Sequence, residues 1–232
     1  MRTSLIGGLA LALAFLLALA PAAVGDSPTE ALRAAVAKTA REPSGRIAVS
    51  EQASFGGRTL ESTASGVLVG GDSDLVVSGE GGGTHRVSVG TTVRERTPDA
   101  PTAPWRSRLR PAPTSSLPFA LATLADGTSI GDPALYTRVA DQGVETLPQG
   151  PARKLVGTLD MARLAQAMEL GPSDQARMAQ WRGTLTVWVA PGGTLARNAL
   201  HIEMPSASGA PSTLDLSIDL SDLGAPLTVT LP

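Results

Sequence analysis

Leu214-Asp215-Leu216-Ser217-Ile218-Asp219-Leu220 alternates without a break, with four large aliphatic side chains on one side of an extended chain and two carboxylates and a hydroxyl on the other. A period of two is the pattern of a half-buried β-strand. The neighbouring segments repeat it. Leu185, Val187 and Val189 alternate up to the turn Pro191-Gly192-Gly193, Leu200, Ile202 and Met204 share one face of the next strand, and Leu227, Val229 and Leu231 follow. Four consecutive strands, each with one apolar side, predict an antiparallel sheet that is wet on one face and covered on the other.

The same reading extends towards the N-terminus. Ile47, Val49 and Phe55 alternate up to Gly56-Gly57, a further strand spans 60–69 up to Gly70-Gly71-Asp72, another spans 75–78, and the glycine run around Gly81 leads into one or two strands over 86–96. Short glycine loops between such runs mark a meander. A strand is also expected over 154–159. Helices are expected over 27–41, where Ser27-Pro28-Thr29-Glu30 forms a capping box, and over 161–168, 173–181, 117–125 and 132–140. Residues 98–118 are proline-rich and read as an irregular connection, in which Arg106, Arg108 and Arg110 share one side if the chain is extended. A long antiparallel sheet with several short helices available for its apolar face is an α+β layout.

Residues 1–25 carry one base, Arg2, then an uncharged apolar run and the small residues Ala22-Ala23-Val24-Gly25 before Asp26. That is the composition of a secretory signal peptide, cleaved after Gly25. Left uncleaved, the run is just long enough to tether the protein to a membrane. Residues 26–232 then form a single domain. Cleavage takes the formal charge from −2 to −3, so the chain lacks the basic footprint of a nucleic-acid binder. With no cysteine there is neither a disulfide nor a thiolate. Aromatic residues make up only 3%, so the core is aliphatic.

Chemistry is hard to find in the sequence. His201 falls between two apolar positions and shares the polar face with Arg197 and Glu203. Asp215 and Asp219 lie ~13–14 Å apart along one strand, too far for a catalytic carboxylate pair. There is no Gly-x-Ser-x-Gly elbow, phosphate loop or metal-ligand spacing. The expectation is therefore no catalytic residue, no metal and no cofactor. What remains is the apolar face. If the helices stand off from it, strand and helix parity gives a lining of Leu68, Val77, Val87, Val89, Leu121, Leu124, Leu135 and Val187. Trp105 with Arg106, Arg108 and Arg110 forms a basic, aromatic cluster suited to lipid headgroups or a membrane surface.

Three stretches resemble the LppX/LprG-type envelope lipoproteins of actinobacteria: the helix-then-hairpin opening over 31–69; Asp132-Pro133-Ala134-Leu135 with Leu155-Val156-Gly157-Thr158-Leu159-Asp160 leading into a helix; and Leu220-Ser221-Asp222-Leu223-Gly224-Ala225-Pro226-Leu227-Thr228-Val229. The resemblance implies a LolA-like, half-open antiparallel β-barrel with short helices on its concave apolar face. It also implies non-enzymatic binding and transport of lipids or other acyl-chain ligands in a bacterial cell envelope. The lipid-anchor cysteine of that family is absent at residues 22–25. The alternative reading is a periplasmic protein-interaction or sensor domain on the same fold, with a solid core and exposed strand edges.

Overall fold

A computed structural model describes residues 27–80, 82–98, 100, 102–109, 132–168, 170–206, 209 and 211–232. The alternating segments form eleven strands: β1 (Ser44–Phe55), β2 (Arg58–Val69), β3 (Asp72–Gly79), β4 (Gly82–Val89), β5 (Thr92–Arg96), β6 (Arg106–Leu109), β7 (Tyr136–Leu147), β8 (Gly150–Leu159), β9 (Arg182–Val189), β10 (Leu195–Met204) and β11 (Ser212–Ser221). All belong to one antiparallel sheet, in the order β6-β5-β4-β3-β2-β1-β11-β10-β9-β8-β7. Two meanders, β1–β6 and β7–β11, thus meet where the first strand pairs with the last. Ile47 lies opposite Leu220, Val49 opposite Ile218 and Ala53 opposite Leu214, so the apolar sides of both strands face the same way. The edge strands β6 and β7 do not pair with each other, and the sheet is a half-open barrel.

Among the described residues, three short helices sit on the inner face. In α1 (Pro28–Thr39), Ser27 Oγ accepts from the Glu30 amide at 3.3 Å and Pro28 fills the first turn. Its Leu32, Ala35 and Val36 are buried. Thr39 Oγ1 donates to the Ala35 carbonyl and accepts from the Leu195 amide, both at 2.8 Å, which fixes the end of α1 to the start of β10. In α2 (Met161–Ala167), Asp160 caps through the Arg163 amide, and Met161, Leu164 and Ala165 are buried; α3 (Pro172–Met178) adds Met178. These side chains pack with Leu155, Val187, Leu195, Leu200, Ile218 and their neighbours in one continuous core. Each fully buried aliphatic side chain there contributes ~1.5–3 kcal/mol over its exposed state.

Two glycines are required by close approach. Gly66 in β2 has φ +157°, and a Cβ there would lie 1.9 Å from the Asp74 carbonyl oxygen. At Gly157 in β8, a Cβ would lie 2.6 Å from the Tyr136 ring, which covers that position. Burial pushes the Tyr136 phenol far above its ordinary pKa, with the Asp132 charge adding to the shift.

The structure departs from the sequence expectations at three places. Residues 132–140 are not a helix: one 3₁₀ turn over Pro133–Leu135 passes directly into β7. Asp132 caps that turn through the Ala134 amide, but a partner strand, β8, is at hand for Tyr136, Arg138 and Val139, and pairing there outweighs local helix preference. Residues 106–109 form the edge strand β6 instead of an irregular connection. Leu227, Val229 and Leu231 do not join the sheet. Gly224 donates to the Ser44 carbonyl, Ser44 Oγ donates to the Ala225 carbonyl, and Arg94 on β5 donates to the Pro232 carbonyl. Residues 225–232 therefore lead from β1 to β5 across the outer side of the first meander. The expected segment 1–25 and the expected helix 117–125 lie outside the described residues.

Candidate functional site

Strand registers place each inner-face residue in a row across the first meander. One row reads Ile47, Gly66, Leu75, Arg86, Glu95, Arg106, from β1 to β6. The next reads Val49, Ala64, Val77, Thr84. Beyond it stand Glu51, Ser62 and Gly79, with Ser62 Oγ donating to Glu51 Oε2 at 3.0 Å, and then Ala53 and Leu60. Small residues (Ser62, Ala64, Gly66, Gly79) thus occupy the middle of this half of the inner wall, where Ala64 and Leu75 are buried in the core. At the β1–β2 hairpin, Phe55 and Leu60 are 45% and 47% exposed. Leu68 and Val77 are only partly buried and pack against the core. Helix α1 makes its main sheet contacts on β7, β9 and β10, on the other meander.

Of the residues expected to line an apolar interior, Leu68, Val77, Leu135 and Val187 face inward and join the core. Val87 and Val89 do not. Leu75 lies opposite Arg86, so the inner positions of β4 are Thr84, Arg86 and Ser88, and the valines point outward. Val87 is nonetheless only 2% exposed, on the side crossed by residues 225–232. The pairing of Gly79 with Gly82 across the turn resets the parity between β3 and β4, which is why alternation counted through it fails. Leu121, Leu124 and Arg110 lie outside the described residues.

Trp105 is not a free interfacial ring. It packs edge-on against His85, with centroids 5.0 Å apart, and under the Arg96 guanidinium at 4.5 Å. His85 in turn bonds Asp74 at 2.7 Å. Arg106 is exposed and stands on the inner side of β6, and the Arg108 backbone pairs with Val93 of β5.

The outer face carries the polar alternation expected of it. His201 Nδ1 and Asp215 Oδ1 are 2.6 Å apart, and Glu203 lies 3.5 Å from the other ring nitrogen. The hydrogen bond to Asp215 raises the His201 pKa above its ordinary value, and Glu203 adds to the shift. Ser50, Thr184, Thr186 and Ser217 line the same shallow depression of about 310 Å³. His, Asp and Ser are therefore close together, but among the described residues no hydroxyl hydrogen-bonds His201, so the nucleophile–base contact of a hydrolase is not formed. Among the described residues no group of three metal-ligating side chains forms, and no helix is long and apolar enough to cross a membrane.

No family model matches the chain, and no curated protein matches its sequence. Solved structures do. LprF from Mycobacterium bovis superposes with a TM-score of 0.51 at 15% identity, covering 88% of this chain and 96% of that one. The lipoprotein LppX from Mycobacterium tuberculosis gives 0.52 at 15% identity, covering 88% and 98%. The fold is therefore the half-open barrel of these two proteins, as the resemblance in sequence implied.

Proposed function

We propose that the protein is a non-enzymatic carrier of lipids or other acyl-chain ligands, exported to a bacterial cell envelope. The observation that carries this reading is the inner wall of the first meander, which we read as a trough: small residues on β2 and β3, Leu68 and Val77 only partly buried beside them, and Phe55 and Leu60 exposed at one end. An aliphatic slot needs no directional chemistry to hold a chain, because each buried methylene contributes ~0.8 kcal/mol. The shared fold with the lipoprotein LppX supports the same reading. The alternative, a partner-binding domain that adds a strand at its edge, is disfavoured at β7. That edge has register shifts between Tyr136 and Arg138 at its start and between Asp141 and Val144 in its middle, and Asp141 accepts from the Gly143 amide at 2.8 Å. Such irregularities block strand addition.

The test is native mass spectrometry of the exported protein purified without detergent. A co-purifying mass that dissociates as lipid is the expected result. A clean apoprotein mass, together with no uptake of fluorescent acyl chains, would overturn the proposal.

A further inference from the structure

The trough has two chemically different ends. Across β1, β2 and β3 the inner row is Ile47, Gly66 and Leu75; across β4, β5 and β6 it becomes Arg86, Glu95 and Arg106. Five strand spacings of ~4.8 Å separate Ile47 from Arg106, so the change from hydrocarbon to charge takes place along ~24 Å of one continuous wall. At the charged end lies a cleft of about 280 Å³, lined by Thr84, Glu95, Arg96, Thr97, Ala103, Pro104 and Arg106.

The charges in the cleft do not cancel. Arg86 and Glu95 form an ion pair at 3.4 Å, and both side chains are largely withdrawn from solvent. Withdrawing a pair from water costs more than its attraction returns unless geometry and further hydrogen bonds offset it. The pair offsets the charge of Glu95 and leaves two guanidiniums on the cleft, that of Arg96, stacked on Trp105, and that of Arg106. Arg106 has no ion-pair partner among the described residues, and the Thr84 hydroxyl stands across the same cleft. A guanidinium beside a hydroxyl is a donor set for a planar or tetrahedral oxyanion.

The geometry points to the Arg106–Thr84 cleft as a headgroup subsite that takes the anionic group, a carboxylate or phosphate, of an amphiphile whose chain lies over the partly buried Gly66 and Val77. This inference rests on the carrier reading and adds the polarity and orientation of the ligand. The same chemistry would accept a free anion, and the experiment separates the two.

Binding of oleate and of oleyl alcohol, which share one hydrocarbon chain, is measured by displacement of a fluorescent fatty acid from the full exported protein. Oleate is expected to bind about tenfold more tightly, the effect of one charge-assisted contact. Arg106→Gln is expected to bring the ratio of the two affinities close to one. Glu95→Gln, which removes the opposing carboxylate, should raise it by roughly threefold. Equal binding of both ligands by the wild type, or an unchanged ratio in Arg106→Gln, overturns the headgroup assignment and leaves the carrier reading intact. Binding of neither ligand overturns the carrier reading itself. Inorganic phosphate that displaces oleate from Arg106 without any chain would assign the cleft to free anions and also overturn the inference.

Discussion

The two meanders of one sheet are built from different residues on the same face. In the second, β8–β11 present Leu155, Leu185, Val187, Leu200, Ile202, Leu216 and Ile218 inward, and α1, α2 and α3 close over them; Leu155, Leu195 and Ile218 have no exposure left. In the first, β2 and β3 present Ser62, Ala64, Gly66 and Gly79 among a few aliphatic side chains, and beyond them Arg86 and Glu95. Leu75 and Val93 of the first half are buried as fully as the core of the second, so the difference lies in the small residues of β2 and β3, where the proposed ligand would lie. The β1–β11 pairing joins the two, so the filled half holds the wall of the open one in place.

The largest expected effect lies in the filled half. Leu155→Ala removes a fully buried side chain opposite Val187 and should lower stability in urea by ~2–5 kcal/mol. In the open half, Ala64→Leu adds volume on the trough floor. Forcing such a group into a solid core costs ~1–3 kcal/mol or more, whereas a trough should receive it for under ~1 kcal/mol while losing acyl-chain uptake. A cost above ~3 kcal/mol for Ala64→Leu would show that both halves are equally packed and would end the comparison. Leu60→Ser, at the open end, should change stability by less than ~0.5 kcal/mol and slow the uptake of a fluorescent fatty acid.

This asymmetry was half legible in the sequence. The alternation over 214–220 gives both faces of β11 correctly, because every second position is large and aliphatic and its pairing with β1 keeps that parity. The fold class followed from it. The trough was less visible. Its signal is the run Ser62-Thr63-Ala64-Ser65-Gly66, where small residues sit in a strand that propensity alone would make bulky. Room was sought instead on helix residues outside the described part of the chain. Val87 and Val89 look like inner residues because they are apolar, yet register with Leu75 gives the inner positions to Arg86 and Ser88. Hydrophobicity cannot identify an inner charged row, since its members look like an ordinary solvated strand face. Likewise β7 has a helix-like start, and only the partner strand reveals it.

The smallest effect tests whether the outer face of the filled half does more than keep the sheet wet. His201 on β10 faces Asp215 on β11, Glu203 on its own strand and Thr184 on β9. Its folded-state pKa is raised, chiefly by the hydrogen bond to Asp215, so folding favours the protonated ring. The stabilisation is then fully present below the unfolded-state value of about 6.5 and is lost as pH rises through the folded value. The pair is largely solvent-exposed, so screening holds the effect to a few tenths of a kcal/mol. Urea midpoints measured from pH 5.5 to 8.5 should fall slightly with rising pH in the wild type, and His201→Gln should remove that slope. An identical slope in His201→Gln would mean that folding leaves the proton affinity of the ring unchanged, and that β10 and β11 are held together by their ladder and the Arg197–Asp219 pair without help from His201.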